Sequence, residues 1–254
     1  MARFNSYIRT ALALLVAFTS ISVSAQSRTT TEDYSLTGRH RIAYHYGTLI
    51  TGKEHNNGVV RLFRKHTIPM VSIDYSFYID RHWSIGADAA VYLPNEYRLK
   101  APKGYAIIEG EDGNRNITAG SFMATGAYTH TAGPVELSYI LGIGFTEFTA
   151  KQDYFYLMNP ETEDTYTMRL KGKSGFFFTM APQVRVSRHL SRTLSIFLEA
   201  RYNILTGKSS MELYAAPNVR DRETTPMTMR KLTVSLPNSF NINFGFTLRF
   251  GTIK

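Results

Sequence analysis

The chain has 254 residues and no cysteine, which excludes disulfides, thiolate metal sites and a lipidated N-terminal cysteine. Its 29 Lys and Arg against 20 Asp and Glu give a net charge of +9. Basicity of that size suits nucleic acid or an anionic lipid or glycan, and the N-terminal segment decides against nucleic acid.

Arg3 and Arg9, the apolar run at 11 to 18 (ALALLVAF) and the small residues Val23, Ser24 and Ala25 have the layout of a secretory signal peptide. The sequence therefore predicts a cleaved leader at 1–25, a short tail at 26–38 and one folded unit at 39–254. The exported part is still basic, with 27 cationic against 20 acidic side chains. No later run of 18 apolar residues exists, so any membrane passage must be made by strands.

Period-two alternation then recurs down the chain. A first strand is expected at about 39 to 49 (RHRIAYHYGTL), with mixed faces. In 71 to 79, Val71, Ile73, Tyr75, Phe77 and Ile79 alternate with Ser72, Asp74, Ser76 and Tyr78. The same pattern holds at 83 to 93 and, weakly, at about 116 to 128. It returns clearly at 135 to 145, at 176 to 186 and at 194 to 204. Pro182 falls inside the sixth of these strands and predicts a bulge or kink. The last alternation, SFNINFGFTLRFG at 239 to 251, sets Phe240, Ile242, Phe244, Phe246, Leu248 and Phe250 against Asn241, Asn243, Gly245, Thr247 and Arg249.

Eight strands of ten to twelve residues are longer than those of most soluble sheets. Three connections are short (80 to 82, about 129 to 133, about 187 to 192). Four are long and polar (about 50 to 66, 94 to 115, 150 to 172 and 207 to 237). Tight turns at one end and large loops at the other are the layout of an outer-membrane barrel. A soluble barrel would alternate the same way inside out. Lysine separates the two, since its long, easily solvated stem belongs on a water-facing sheet. The ten lysines lie in expected loops, at strand edges or at Lys254, and none lies on the polar face of the six clear strands. The fold class read from the sequence is all-β, an eight-stranded antiparallel transmembrane β-barrel with short periplasmic turns and long extracellular loops.

On these features the chain resembles the small outer-membrane barrels of the OmpX and OmpA-transmembrane-domain kind common in Bacteroidetes-type bacteria. The resemblance spans about 39 to 251 and is architectural. It implies handling by the barrel assembly machinery, whose aromatic-rich signal resembles the last strand. That signal ends on the aromatic itself in the family, whereas Thr252, Ile253 and Lys254 follow Phe250 here.

Side-chain chemistry points to sites of three kinds. Asp74, Asp88, Glu136, Arg185, Glu199, Arg201 and Arg249 are expected in the lumen, where buried charges must pair. They would form a structural salt-bridge plug or line a gated ion path. His82, His130 and His189 fall at or beside the short turns, with an echo between RHWS (81 to 84) and RHLS (188 to 191) that suggests similar turns. Their spacing forces no convergence on a metal, and neither metal nor cofactor is expected. The loops carry the third set. Lys53, Arg61, Arg64 and Lys65 leave one loop at net +3, and Lys208, Arg220, Arg222, Arg230 and Lys231 leave another at net +2. Such clusters suit lipopolysaccharide phosphates, a glycan or a protein partner. The segment 59 to 67 (VVRLFRKHT) could extend a hairpin above the membrane and add a partner's strand. A hydrolase built on His66 and Ser72 lacks an acid partner, and no Gly-x-Ser-x-Gly elbow is present. The sequence thus favours a non-enzymatic surface barrel with binding loops, ahead of an assembly or secretion accessory and of a lipid-modifying enzyme.

Overall fold

The computed structural model describes residues 39–51, 60–61, 67–96, 98–99, 104–108, 116–150, 153–161, 165–171, 174–207, 209–217, 228–234 and 238–251. Fifteen strands run through them: β1 (His40–Thr51), β2 (Val60–Arg61), β3 (Thr67–Tyr78), β4 (Trp83–Glu96), β5 (Arg98–Leu99), β6 (Ala106–Ile108), β7 (Asn116–Ala132), β8 (Val135–Ala150), β9 (Asp153–Met158), β10 (Thr165–Lys171), β11 (Ser174–His189), β12 (Leu194–Thr206), β13 (Ser209–Pro217), β14 (Thr228–Val234) and β15 (Ser239–Phe250). The expected leader and tail lie outside the described residues.

Eight strands close a barrel in the order β1-β15-β12-β11-β8-β7-β4-β3, all neighbours antiparallel. The closure joins the last strand to the first, from His40 opposite Phe250 to Thr51 opposite Ser239. That seam leaves no sheet edge exposed, the condition a strand protein must meet in hydrocarbon.

The alternation read from the sequence is the inside–outside pattern of the wall. Along β3 every second side chain is buried, with Ile68, Met70, Ser72, Asp74, Ser76 and Tyr78 turned inward. Outside, Ile85, Phe122, Phe145, Phe176 and Phe244 are each more than half exposed. A water-facing barrel would hide such rings, so this wall faces lipid. The eight barrel strands contain no lysine. Aromatic groups gather near the turn end. Trp83 packs edge-on against Tyr128 at 5.2 Å, and His40 stacks on Phe250 at 5.4 Å with Nδ1 2.6 Å from the Tyr75 hydroxyl. Rings with one apolar and one polar end suit that interface. The sealed wall, the apolar exterior and the turn–loop asymmetry make the chain a transmembrane barrel of an outer membrane.

Three details differ from the expectations. Pro182 causes no bulge: the β11–β8 register passes through it unbroken, opposite Leu141. On the β12 side the ladder skips from Met180 to Gln183 without a shift, because proline lacks only the one N–H. The bulge sits instead between Tyr92 and Asn95, beside Pro94. The fourth barrel strand reaches Ala132, and the turn after it is Gly133–Pro134 with Gly133 at φ 58°. Glycine first and proline second fit a type II′ hairpin, which follows the twist of the strands.

The echo of RHWS and RHLS is also corrected. The two turns do match, but they align as Ile79 to Trp83 with Leu190 to Leu194. In each, the first residue's N–H donates to the fifth residue's carbonyl, at 2.9 Å. In each, the second side chain accepts from the amides of the fourth and fifth residues. Asp80 Oδ1 takes His82 N at 2.7 Å and Trp83 N at 2.6 Å. Ser191 Oγ takes Thr193 N at 3.2 Å and Leu194 N at 3.0 Å. The structurally equivalent arginines are Arg81 and Arg192, four residues away from the textual echo of Arg81 with Arg188.

The largest correction concerns the loops. Much of what reads as long polar connection is a five-stranded sheet, β14-β13-β10-β9-β6. Its order repeats that of the barrel strands β15-β12-β11-β8-β7, each replaced by its neighbour in the chain. Five barrel strands thus have counterparts beyond the loop end, where they form a raised sheet. Within 59 to 67, Val60 and Arg61 pair with Leu99 and Arg98 of β5.

Candidate functional site

Two regions concentrate chemistry, the lumen and the raised sheet. The lumen is stacked in layers. At the turn end Glu136, fully buried, accepts from Arg41 Nη1 at 3.3 Å, Tyr78 OH at 3.2 Å, Ser138 Oγ at 3.2 Å and, closest of all, Arg249 Nη2. Above it, Arg185 Nη2 bridges Asp74 Oδ2 at 2.5 Å and Glu199 Oε2 at 2.6 Å. The Arg185 guanidinium also lies over the Phe197 ring, 4.5 Å from its centre, and the same ring meets His45 edge-on. Phe197 fits because Gly245 faces it: a Cβ there would lie 2.7 Å from the ring. Higher still, Arg201 grips Asp88 through both oxygens, at 3.0 and 2.8 Å. Glu199 also accepts from Asn243 Nδ2 at 2.9 Å.

All seven charged residues expected in the lumen lie there, buried, and each has an ionic partner. The sequence reading did not place Arg41, His45 or His189 in the lumen. Arg41 and His45 lie on β1, whose inward face (Arg41, Ala43, His45, Gly47, Leu49) mixes apolar with polar groups and so hides its period. Adding Arg41 brings the stacked layers to four arginines against four acids, with Arg39 buried at the turn-end mouth. Each acid pairs with a guanidinium group on another strand, so the network ties the wall together from within.

Toward the loop end the lumen turns apolar. Leu49, Ile68, Phe148 and Phe177 are buried there. The cavity among Leu49, Ile68, Tyr92, Phe148 and Asn203 is about 40 Å³, room for a water or two. Eight strands leave an interior that side chains fill, and these layers fill it.

Two further groupings have suggestive chemistry. His45, Asp74 and Asp88 bring ligand atoms within 4.8 Å of one another. Asp74 and Asp88 are already held by Arg185 and Arg201, so a cation would have to displace guanidinium groups. His189 Nδ1 lies 2.9 Å from Ser195 Oγ, and its Nε2 lies 3.7 Å from Glu136, the order of a hydrolytic triad. However, Ser195 is fully buried and Arg249 Nη1 sits 2.7 Å from the same Nδ1. That atom cannot serve as the serine's base while it faces a guanidinium. Ser72 of the imagined hydrolase is buried in the lumen, and His66 lies outside the described residues.

The three turn histidines do not converge. His189 points into the lumen, His130 is exposed on the outer side of β7, and His82 stacks on Tyr128 with Nδ1 3.0 Å from the Thr129 carbonyl. At the same turn, the backbone amides of Trp83 and His82 hold the Asp80 carboxyl below the usual carboxylate range.

The second region lies beyond the loop end. Of the basic loop residues, Lys53, Arg64, Lys65, Lys208, Arg220 and Arg222 lie outside the described residues. Arg61 is in β2, and Arg230 and Lys231 are successive residues of β14, which places them on opposite faces of the raised sheet. Register sorts the rest. Tyr156 aligns with Thr167 and Thr167 with Ala216, while Leu157 aligns with Tyr166 and with Ile107 of β6. Tyr156 is 37% exposed and the adjacent Leu157 only 5%. On β9 the side bearing Tyr156 is therefore open and the side bearing Leu157 covered.

No family model matches the chain, and no curated protein matches it. Among solved structures it is similar to the outer membrane protein OprG of Pseudomonas aeruginosa, at 12% identity and a TM-score of 0.49, over 85% of this chain and 97% of that one. It is also similar to Ail, the attachment invasion locus protein of Yersinia pestis, at 11% identity and 0.45, over 84% and 99%. Neisserial surface protein A aligns at 14% identity and 0.43, over 84% and 98%. At these scores the likeness extends no further than a barrel wall.

Proposed function

We propose that the chain is a non-enzymatic surface barrel that displays a binding platform at its loop end, with the short turns in the periplasm. The observation that carries this reading is the contrast between a filled lumen and the wall's extension above it. A barrel whose inward charges are consumed by each other has little to offer a solute. Five strands prolonged past the membrane instead build a raised, ordered surface, where recognition belongs. The basic segments Lys53 to Lys65 and Lys208 to Lys231, the second of which contributes β13 and part of β14 to that sheet, suit an anionic partner, glycan or lipopolysaccharide. Export through a leader at 1–25 and insertion by the barrel assembly machinery belong to the same proposal.

The test is a pair of exchanges in cells that display the protein. In one, the β9–β10 and β13–β14 hairpins are cut back to short turns. In the other, the three short turns are replaced by Asn-Gly turns. Cell retention on immobilised glycans and glycoproteins should fall with the first exchange and survive the second. The reverse pattern would overturn the platform and favour an assembly or secretion accessory acting from the periplasm. A change in lipid A structure on deletion, lost with one rim substitution, would instead favour a lipid-modifying enzyme.

A further inference from the structure

We infer that the open face of the raised sheet binds an anionic polysaccharide across the row Tyr154–Arg169–Tyr214, a reading that rests on the platform proposed above. The row follows from pairing alone. Arg169 of β10 is opposite Tyr154 of β9 on one side and Tyr214 of β13 on the other. Tyr214 in turn is opposite Met229 of β14. Residues directly opposite share a face, as do residues two apart on one strand. Tyr154 is two residues from Tyr156, so the row lies on the face that Tyr156 shows to be open.

The next row on the same face is Lys171–Glu212–Lys231, and the row on the other side is Ile108–Tyr156–Thr167–Ala216. By register the open face thus holds three tyrosines around one arginine, with three cations against one acid. The covered face, by the same register, holds Ile107, Phe155, Leu157, Met168, Leu170, Leu213 and Leu232, together with Tyr166 opposite Leu157 and with Asp153 and Arg230 at the two ends of the Leu170–Leu213 row. The pattern explains why these segments form strands.

Strands about 4.8 Å apart put the two tyrosines of the row roughly 9.6 Å apart, with the arginine between them. A flat, tyrosine-bearing surface suits the faces of sugar rings, since tyrosine couples an apolar ring to a polar tip at low entropic cost. A guanidinium between two such rings matches a sulfate or carboxylate by its planar fork. An extended, negatively charged sugar chain meets both demands. The excess of cations favours its approach by long-range attraction.

The full protein in lipid nanodiscs should be titrated with dextran sulfate and with uncharged dextran of the same length. Dextran sulfate is expected to bind, and uncharged dextran to bind at least about tenfold more weakly. Arg169→Gln, Tyr154→Ala and Tyr214→Ala should each weaken dextran sulfate by about tenfold. Arg169→Lys, which keeps the charge and loses the fork, should weaken it severalfold. Arg81→Gln, which removes the same charge at the turn end, should leave binding unchanged. A heat-dependent gel shift and protease resistance of the hairpins establish that each variant is folded. Equal binding of the two polymers would overturn the inference. So would full retention in Arg169→Lys, or equal losses in Arg81→Gln and Arg169→Gln, either of which would mean charge alone. If hairpin removal abolishes cell retention while the row variants change nothing, the platform stands and the anionic polysaccharide falls.

Discussion

The barrel lumen and the raised sheet follow the same period of two and use it differently. In the lumen the polar face turns inward and its charges balance, each carboxylate meeting a guanidinium from another strand. On the sheet, register puts Arg169, Lys171 and Lys231 against Glu212 on the face that carries Tyr156, so cations outnumber acids there. A charge set that closes on itself holds a structure together, and one left with an excess is available to a partner. The residue types overlap; what differs is whether the counter-charge lies within reach on a facing strand.

The comparison breaks most severely at Glu199. This buried acid meets Arg185 at 2.6 Å and Arg201 at 3.4 Å, so Glu199→Ala leaves guanidinium groups without their shared partner. A loss of about 3–5 kcal/mol is expected, read from urea unfolding in lipid vesicles. A midpoint shift under about 1 kcal/mol would mean that the lumen network does not brace the wall.

Next comes the outer face. Ile143 is 45% exposed on β8, between Leu141 and Phe145, and Ile143→Arg should cost about 2–4 kcal/mol in the same assay. An unchanged midpoint would mean that this band does not meet hydrocarbon.

The raised sheet supplies a smaller and more local effect. Leu157→Asp puts a charge on the covered face and should cost about 1–3 kcal/mol of sheet stability, seen as faster protease cutting of the hairpins. The heat-dependent gel shift of the barrel should persist. Tyr156→Ser, one residue along on the open face, should change protection by under about 0.5 kcal/mol. Equal damage from both would mean that the sheet has no open face.

The smallest effect separates the two matching turns by pH. Amide donors lower the folded-state pKa of Asp80, so its contribution is present above the ordinary carboxylate pKa of about 3.9 and is lost as pH falls through the lowered value. Hydrogen exchange at His82 and Trp83 should quicken in that acid window, while Thr193 and Leu194, held by the Ser191 hydroxyl, should not respond. Asp80→Ser should abolish the difference between the turns. Acid-induced loosening of both turns alike would show that the Asp80 carboxylate is not the cause.

The eight barrel strands were legible because a wall between lipid and a packed interior forces strict alternation. Strands with aliphatic and aromatic outer faces, such as β3, β8 and β15, repeat it without interruption. β1 was harder to read, since Ala43, Gly47 and Leu49 share its inward face with Arg41 and His45. Its two ionic groups were recognisable only once Arg249 and Gly245 were seen opposite them on β15. The raised sheet left a weaker signal. Its strands β9, β10 and β14 run six or seven residues amid charge, and their alternation resembles ordinary polar loop composition.

The sequence by itself determined the number of barrel strands, the lipid-facing side of the six clear ones and the asymmetry of turns and loops. These are local consequences of alternation and of where charge can stay solvated. Only the tertiary structure decided which acid pairs with which arginine, that the two short turns match four residues off their textual echo, and that the loops rise as a sheet. Such facts depend on register between strands, and partners such as Arg185 and Asp74 lie far apart in the chain, so no window along the sequence contains both.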